Sequence, residues 1–146
     1  MNDEEGMRLA YQQAKKSFDE GGVPVGAALV HEGAVLAVGH NQRVQGGDPI
    51  AHGEIDCLRR AGRRKNYKGC VLYTTLSPCM MCAGTTLQFG IKKVVIGEAE
   101  NFAGNIDFLR GHGVEVVLVN DARCIALMRE FIRTRPELWF EDIAEG

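Results

Sequence analysis

One histidine and two cysteines of this sequence have the residue types and the spacing that hold a metal ion. His52 precedes Glu54 by two residues, and Cys79 and Cys82 lie in the segment Pro78-Cys79-Met80-Met81-Cys82. Zinc favours imidazole and thiolate ligands, and three protein ligands leave one tetrahedral position open, as in catalytic zinc sites. A carboxylate beside such a site can move the protons of a water bound there. We therefore predict a catalytic Zn²⁺ with His52, Cys79 and Cys82 as ligands and Glu54 as the proton shuttle.

The two cysteines alone leave several interpretations open. A Cys-x-x-Cys segment is also typical of a redox pair or of two buried thiols, and a structural four-cysteine site needs a second close pair. The remaining cysteines, Cys57, Cys70 and Cys124, are scattered through apolar segments and are predicted to be core residues. The upstream His-x-Glu favours a catalytic site, because this order of residues is the known signature of zinc deaminases, which replace an amine on a heterocycle by hydrolysis.

The composition limits the classes of protein to consider. The chain has 146 residues, of which 45% are hydrophobic and 25% are charged, and these values predict one globular domain over residues 1–146. A formal net charge of −2 provides no general attraction to nucleic acid or to acidic membranes. The sequence contains no apolar run of about 20 residues and no signal-peptide pattern, so we expect a cytoplasmic protein that does not bind membranes.

Hydrophobic periodicity and turn residues predict how these groups are positioned. Strands are predicted over 25–31 and 34–39, around a turn at Glu32-Gly33, and over 70–75, 93–97 and 114–119. Helices are predicted over 3–19, from Asp48-Pro49 to about Arg64, from Ser77-Pro78 to about Gly90, over 106–110, over 121–133 and from Pro136. This order predicts an α/β fold of three layers, α/β/α, with a central mixed five-stranded sheet. Both halves of the motif fall at helix starts, where the helix dipole favours thiolates.

Beyond the zinc motif, the chain resembles the fungal-type cytosine deaminases of the cytidine deaminase-like superfamily along nearly its whole length. The segments that carry the resemblance include Gly21-Gly22-Val23-Pro24-Val25-Gly26, Gly39-His40-Asn41, Leu72 to Cys79, Asn101-Phe102 and Trp139-Phe140-Glu141-Asp142-Ile143. The glycine between His52 and Glu54 and the Trp-Phe-Glu-Asp tail are typical of the cytosine branch. The resemblance implies the cytidine deaminase-like fold, a homodimer with one Zn²⁺ per subunit, and hydrolysis of free cytosine, and of 5-fluorocytosine, in pyrimidine salvage.

The resemblance also implies which residues contact the nucleobase. Asn41 would bind the base edge, since an amide can accept a hydrogen bond from a ring N–H and donate one to the neighbouring carbonyl. Because a nucleoside carries a sugar at that ring nitrogen, this contact favours the free base. The backbone N–H of Gly53 would hold the ring carbonyl, and the carbonyl of Ser77 would lie near the leaving amine. A plain turn residue is the alternative interpretation of Asn41.

The remaining implied contacts form the walls of the pocket. Phe102 and Trp139 would cover the ring, Asp142 would make a polar contact near the amine, and Val25 would line one wall. The segment 135–146 would then act as a lid over the pocket. Without the resemblance, Trp139 and Phe140 indicate a short amphipathic helix that docks on the core.

Several rival functions stay open on the sequence. Met80, at a position where the fungal pattern has an acidic residue, and the divergent segment 104–109 leave isocytosine, 5-methylcytosine or another small aminoheterocycle as the base. A guanine deaminase or a transfer-RNA adenosine deaminase is possible on the same scaffold, because the basic run from Arg59 to Lys68 could meet phosphates. We favour a solvated helix end for that run and expect no nucleic-acid partner, since the tail is acidic. A non-catalytic zinc-binding module and a redox protein are the remaining alternatives.

Overall fold

A five-stranded sheet forms the centre of the computed structural model, which describes residues 1–145. Its strands are β1 (Gly26–His31), β2 (Ala34–His40), β3 (Cys70–Leu76), β4 (Lys93–Glu98) and β5 (Glu115–Leu118). They lie in the order β2-β1-β3-β4-β5. Strand β1 is antiparallel to both of its neighbours, whereas β3, β4 and β5 run parallel to one another. The predicted mixed sheet of five strands is therefore confirmed.

Helices cover both faces of this sheet. They are α1 (Asp3–Asp19), α2 (Arg43–Gly46), α3 (Gly53–Ala61), α4 (Met80–Gln88), α5 (Ile106–Gly111), α6 (Ala122–Thr134) and α7 (Pro136–Asp142). Successive side chains of a strand point to opposite faces. Ala27 and Leu29 of β1 accordingly pack in one core with α3, α4 and α5, while Ala28 and Val30 pack in another with α1 and α6. The three-layer α/β/α architecture is confirmed.

The hairpin between β1 and β2 turns at the predicted place. Glu32 and Gly33 have φ angles of 49° and 81°, and two consecutive positive φ values are what a tight two-residue hairpin turn requires. The three cysteines outside the zinc motif are buried free thiols, as predicted. In the part of the chain that the structure describes, the helices lack the combination of length and apolar character needed to cross a membrane.

The predicted bounds of the second helix are wrong at both ends. Asp48 does not cap a helix, since its carboxylate accepts a hydrogen bond from the Ile50 N–H at 3.0 Å and closes a local turn. The helix α3 begins only at Gly53, and His52 is its extended N-cap residue with φ −66° and ψ 163°. It ends at Ala61, because Gly62 adopts a φ of 79° that the helix cannot continue.

The predicted start of the third helix is also wrong, by two residues. Ser77 does not cap it, because its backbone N–H donates to the Glu98 carbonyl at 2.9 Å and its hydroxyl donates to the Ala103 carbonyl at 2.8 Å. Cys79 is the N-cap residue instead, with φ −69° and ψ 174°. Each of these two helices therefore has a candidate zinc ligand at its N-cap position, His52 in α3 and Cys79 in α4.

A third apolar cluster joins the end of the sheet to the C-terminal helices. Its buried members are Val23, Val25, Leu76, Met128, Phe131 and Trp139. Through this cluster α6 and α7 are held beside the carboxyl end of β3, where α4 also begins. The C-terminal part of the chain therefore lies next to the zinc motif, although it is more than 50 residues away in sequence.

Candidate active site

The starts of α3 and α4 bring the three predicted zinc ligands together. His52 Nδ1 lies 3.4 Å from Cys79 Sγ and 3.7 Å from Cys82 Sγ. Zinc bonds of about 2.0–2.1 Å to nitrogen and 2.3 Å to sulfur would separate such ligand atoms by about 3.6 Å in a tetrahedron. The three donor atoms lie within 4.8 Å of one another. Their chemistry and spacing both fit a tetrahedral zinc ion with one position left for a non-protein ligand.

The pKa values of the Cys79 and Cys82 thiols are shifted in opposite directions. The hydrogen bond from Cys82 is the main reason that the pKa of Cys79 falls to about 4, and the His52 ring lowers it further against the effect of burial. The same bond raises the pKa of Cys82, because its thiol donates to the Cys79 thiolate. Cys79 thus favours the thiolate form, and Cys82 must release a proton when a cation binds.

Asp142 of α7 lies behind the histidine ligand. Its Oδ1 is 3.4 Å from His52 Nε2, on the side of the ring opposite the thiols. A carboxylate in this place fixes the ring orientation and keeps Nδ1 free for a metal ion. Burial raises the pKa of Asp142, whereas His52 and the Asn41 amide lower it.

Glu54 shares the pocket with the ligand set. It lies in the first turn of α3 with only 4% of its surface exposed. Burial raises the pKa of its carboxyl to about 7, and the neighbouring His52 opposes this shift. A carboxyl that titrates near neutral pH can both accept and return a proton during one reaction cycle. The structure therefore places a suitable acid–base group where the sequence predicted it.

These groups line a pocket with about 320 Å³ of free space, its open mouth included. The residues around it come from six parts of the chain and are Val25, Asn41, His52, Glu54, Leu76, Ser77, Cys79, Phe102, Trp139, Asp142 and Ile143. Of the predicted site residues, Gly53 and Cys82 do not line it. Sequence reasoning missed Leu76 and Ile143 as lining residues, although each is the immediate neighbour of a residue that it selected.

Asn41 both forms a turn and lines the pocket. Its side-chain Oδ1 accepts a hydrogen bond from the Arg43 N–H at 2.9 Å, and its Nδ2 donates to Asp142 Oδ2 at 3.0 Å. An amide offers two N–H donors and two acceptor sites, so one of each remains for a ligand. The two interpretations of Asn41 are therefore compatible, because the turn sets the orientation in which the amide meets the pocket.

Two aromatic rings form part of the pocket wall. The ring centroids of Phe102 and Trp139 are 5.9 Å apart and the planes meet at 88°, an edge-to-face pair. Trp139 is 4% exposed and packs in the third apolar cluster, so it serves the core and the pocket together. The neighbouring Phe140 is 41% exposed, which contradicts the expectation that both aromatic residues dock.

A side chain at Gly53 would disturb the Val25 wall. A Cβ atom at this position would lie 2.8 Å from the Val25 carbonyl oxygen and 3.3 Å from its Cγ1. We expect Gly53→Ala to lower the free energy of unfolding by about 1–3 kcal/mol, the usual cost of overpacking. Urea denaturation measures this change. Gly84→Ala is the matched control, since a Cβ there meets nothing within 4 Å, and an unchanged stability of Gly53→Ala would contradict the contact.

The fold and the site together define a zinc-dependent hydrolytic deaminase. The family model described as the cytidine and deoxycytidylate deaminase zinc-binding region matches residues 1–98. The chain is 50% identical to the cytosine deaminase of Candida albicans, over 99% of this chain and 98% of that protein. It is also 36% identical to the tRNA-specific adenosine deaminase of Bacillus subtilis, over 90% of this chain and 89% of the relative.

A solved structure extends the comparison. The X-ray structure of guanine deaminase from Bacillus subtilis has a TM-score of 0.64 and 29% sequence identity, covering 79% of this chain and 73% of that one. The chain belongs to the cytidine and deoxycytidylate deaminase family. It is therefore a zinc-binding deaminase enzyme, as its motif predicted.

Proposed function

We propose that this enzyme hydrolyses free cytosine to uracil and ammonia. Trp139, Asp142 and Ile143 of the C-terminal segment line the same pocket as His52 and Cys79, and this observation carries the proposal. The family model ends at residue 98, but the similarity to the Candida albicans cytosine deaminase covers 99% of the chain and so includes this segment. A pocket that the C-terminal segment helps to enclose suits a small free base better than a base attached to a polymer.

The proposed zinc ligands and Glu54 would have separate roles in the hydrolysis. Zinc held by His52, Cys79 and Cys82 would lower the pKa of a water from about 15.7 toward 7. Glu54 would accept the two protons of that water in turn, and would pass one to the ring nitrogen and one to the departing amine. Overall the C–N bond to the amine breaks, a C–O bond forms, and the two hydrogens of water leave with ammonia and the ring.

Binding contacts would place the base edge against Asn41. Its free N–H and its free acceptor site match a ring carbonyl and the adjacent ring N–H. The Gly53 N–H would contact the same carbonyl, and the Ser77 carbonyl would lie near the amine, with Asp142 close by. Val25, Phe102 and Trp139 would hold the ring between apolar surfaces. A sugar at the ring nitrogen would remove the donor that Asn41 needs, so cytidine should be a poor substrate.

Close analogues fit the same chemistry. We expect 5-fluorocytosine to be a substrate as well, and we keep isocytosine, 5-methylcytosine and guanine as candidates. Transfer-RNA adenosine deamination is the second candidate function, because tRNA-specific deaminases are among the relatives. The exposed acidic residues Glu137 and Glu141 beside the pocket would repel a polyanion, which favours the free base.

The family resemblance also implies a pathway, a cellular location and an oligomeric state. We propose that the enzyme works in pyrimidine salvage in the cytoplasm and forms a homodimer with one zinc ion per subunit. Large apolar side chains that lie exposed on the described surface, such as Phe89 and Met80, are available for a subunit contact. Sedimentation equilibrium tests the dimer, since a mass of one subunit at micromolar concentration would exclude it.

Ammonia release tests the proposed function directly. The zinc-loaded protein is assayed against cytosine, 5-fluorocytosine, 5-methylcytosine, isocytosine, guanine, cytidine and a transfer RNA. We expect the highest kcat/KM for cytosine, with cytidine about 10²-fold or more below it because a buried hydrogen-bonding group is left unpaired. A higher kcat/KM for cytidine or for the transfer RNA would refute the free-base assignment.

Asn41→Ala should weaken base recognition in particular. Removing the amide deletes hydrogen bonds worth about 1–3 kcal/mol, so we expect kcat/KM for cytosine to fall about 10- to 100-fold. Asn66→Ala is the matched control, because the exposed Asn66 accepts from the Lys68 N–H in the same kind of turn away from the pocket. Equal kinetics of the two variants would show that Asn41 serves only its turn.

A further inference from the structure

Arg43 points its guanidinium at the C-terminal helix. It belongs to the four-residue helix α2, and its side chain is only 14% exposed. Its Nη2 lies 3.6 Å from Glu141 Oε1, and its Nη1 lies 4.0 Å from Asp142 Oδ2. Its Nε is buried without a hydrogen-bond partner in the described part of the chain. A long cationic side chain is thus withdrawn from water beside two consecutive carboxylates of α7.

The same short segment contacts α7 in a second way. The Arg43 backbone N–H orients the Asn41 amide, and that amide donates to Asp142 Oδ2. Asp142 in turn faces His52 through its other oxygen. Backbone and side chain of Arg43 therefore act on one carboxylate that touches both the base-binding amide and a zinc ligand.

A different kind of contact also holds α7. Trp139 anchors the helix in the third apolar cluster, with Met128 and Phe131 of α6. A helix of seven residues is too short to be stable by itself. Its closed position over the pocket therefore depends on the apolar anchor at Trp139 and on the polar contacts at Glu141 and Asp142.

We propose that Arg43 is a positioning residue that keeps α7 closed over the pocket. Its positive charge attracts both carboxylates and so holds the C-terminal end of α7 toward the body of the enzyme. Loss of this charge opens the helix at its polar end, which exposes Trp139 and loosens the roof above the bound base. The structural part of this inference is independent of the substrate, whereas its kinetic part rests on the proposed function.

Trp139 is the single tryptophan of the sequence, so its fluorescence reports on α7 alone. We expect Arg43→Gln to raise the acrylamide quenching constant of the zinc-loaded protein at least twofold, and Arg43→Lys to restore part of the protection. Arg59→Gln is the control, because Arg59 also lies near a carboxylate, 3.7 Å from Asp48, but its side chain is 55% exposed and its loss should leave quenching unchanged.

The kinetic readout separates positioning from chemistry. We expect KM for cytosine to rise about tenfold in Arg43→Gln, with kcat within twofold of the wild type, because Glu54 and the zinc ligands keep their places. An altered quenching constant without any cytosine turnover would leave α7 positioning supported and the proposed function refuted. Unchanged quenching and unchanged KM in a folded Arg43→Gln protein would overturn the positioning role.

A second pair of variants keeps the test decisive if Arg43→Gln does not fold. Glu141→Gln removes the exposed partner of Arg43, and Glu137→Gln removes an exposed charge from the same helix. We expect only the first to raise the quenching constant. Equal quenching in both variants and in the wild type would then overturn the proposal.

Discussion

Glu54→Gln is expected to bind zinc as well as the wild-type protein and to lose about 10²–10⁴-fold in kcat, the usual contribution of a positioned acid–base group. Glutamine has nearly the same shape but cannot accept the proton of a water. Because Glu54 is 4% exposed and its pKa is raised to about 7 by burial, the neutral amide should cost little stability. The change should therefore separate catalysis from metal binding.

Three measurements on one preparation test this expectation. Zinc content is measured by inductively coupled plasma mass spectrometry. Folding is checked by thermal unfolding, and turnover is measured as ammonia release from cytosine. Asp56→Asn is the matched control, since Asp56 is also a buried carboxylate of α3 but accepts hydrogen bonds from the His40 N–H and from Arg60. It should lower stability and retain turnover. A Glu54→Gln protein with wild-type kcat would remove Glu54 from the mechanism.

Cys82→Ala is expected to lose both the zinc ion and all measurable turnover. Only two protein ligands would remain, whereas a tetrahedral zinc site needs at least three. Changes to residues that only support the ligands typically lower metal affinity about 10–100-fold, and we expect a larger loss when a ligand itself is removed. Cys82 is 1% exposed, and its thiol faces His52 Nδ1 at 3.7 Å. No neighbouring side chain in the described structure joins the three-member ligand set to replace it.

The stability of the protein supplies a second readout for this ligand. A chelator should lower the Tm of the wild-type enzyme but leave that of Cys82→Ala unchanged, because metal binding stabilises only a protein that binds it. Cys70→Ala is the control, as Cys70 is a buried cysteine at the start of β3 and should keep its zinc and its activity. Stoichiometric zinc in Cys82→Ala after dialysis against the chelator would contradict the assigned ligand set.

The parts of the site that are local in sequence could be predicted, because spacing alone determines them. Cys79 and Cys82 are three residues apart and meet on one helical turn, and His52 and Glu54 belong to one helix start. The helix starts themselves were predicted too early. Asp48-Pro49 and Ser77-Pro78 have the residue types of helix caps, but their polar groups bond to local or neighbouring segments instead.

Contacts between distant segments could not be read from the sequence. The Asn41 amide and Asp142 are separated by 101 residues, and no local pattern links them. Helix α2 has four residues and is too short to show a hydrophobic period, so Arg43 gave no signal before the fold was known. All of the base-contacting residues that the family resemblance implied, except Gly53, line the pocket, whereas the contacts among them required the structure.

The order of the site residues along the chain has a consequence for biosynthesis. Every zinc ligand precedes residue 83, whereas the residues that enclose the pocket, Phe102 and the segment from Trp139 to Ile143, follow much later. The ribosome therefore delivers two reactive thiols before the walls that surround them, and domains complete their folding only after their last elements emerge. Oxidation of Cys79 and Cys82 is thus a hazard for the unfinished chain, and early capture of zinc would protect it.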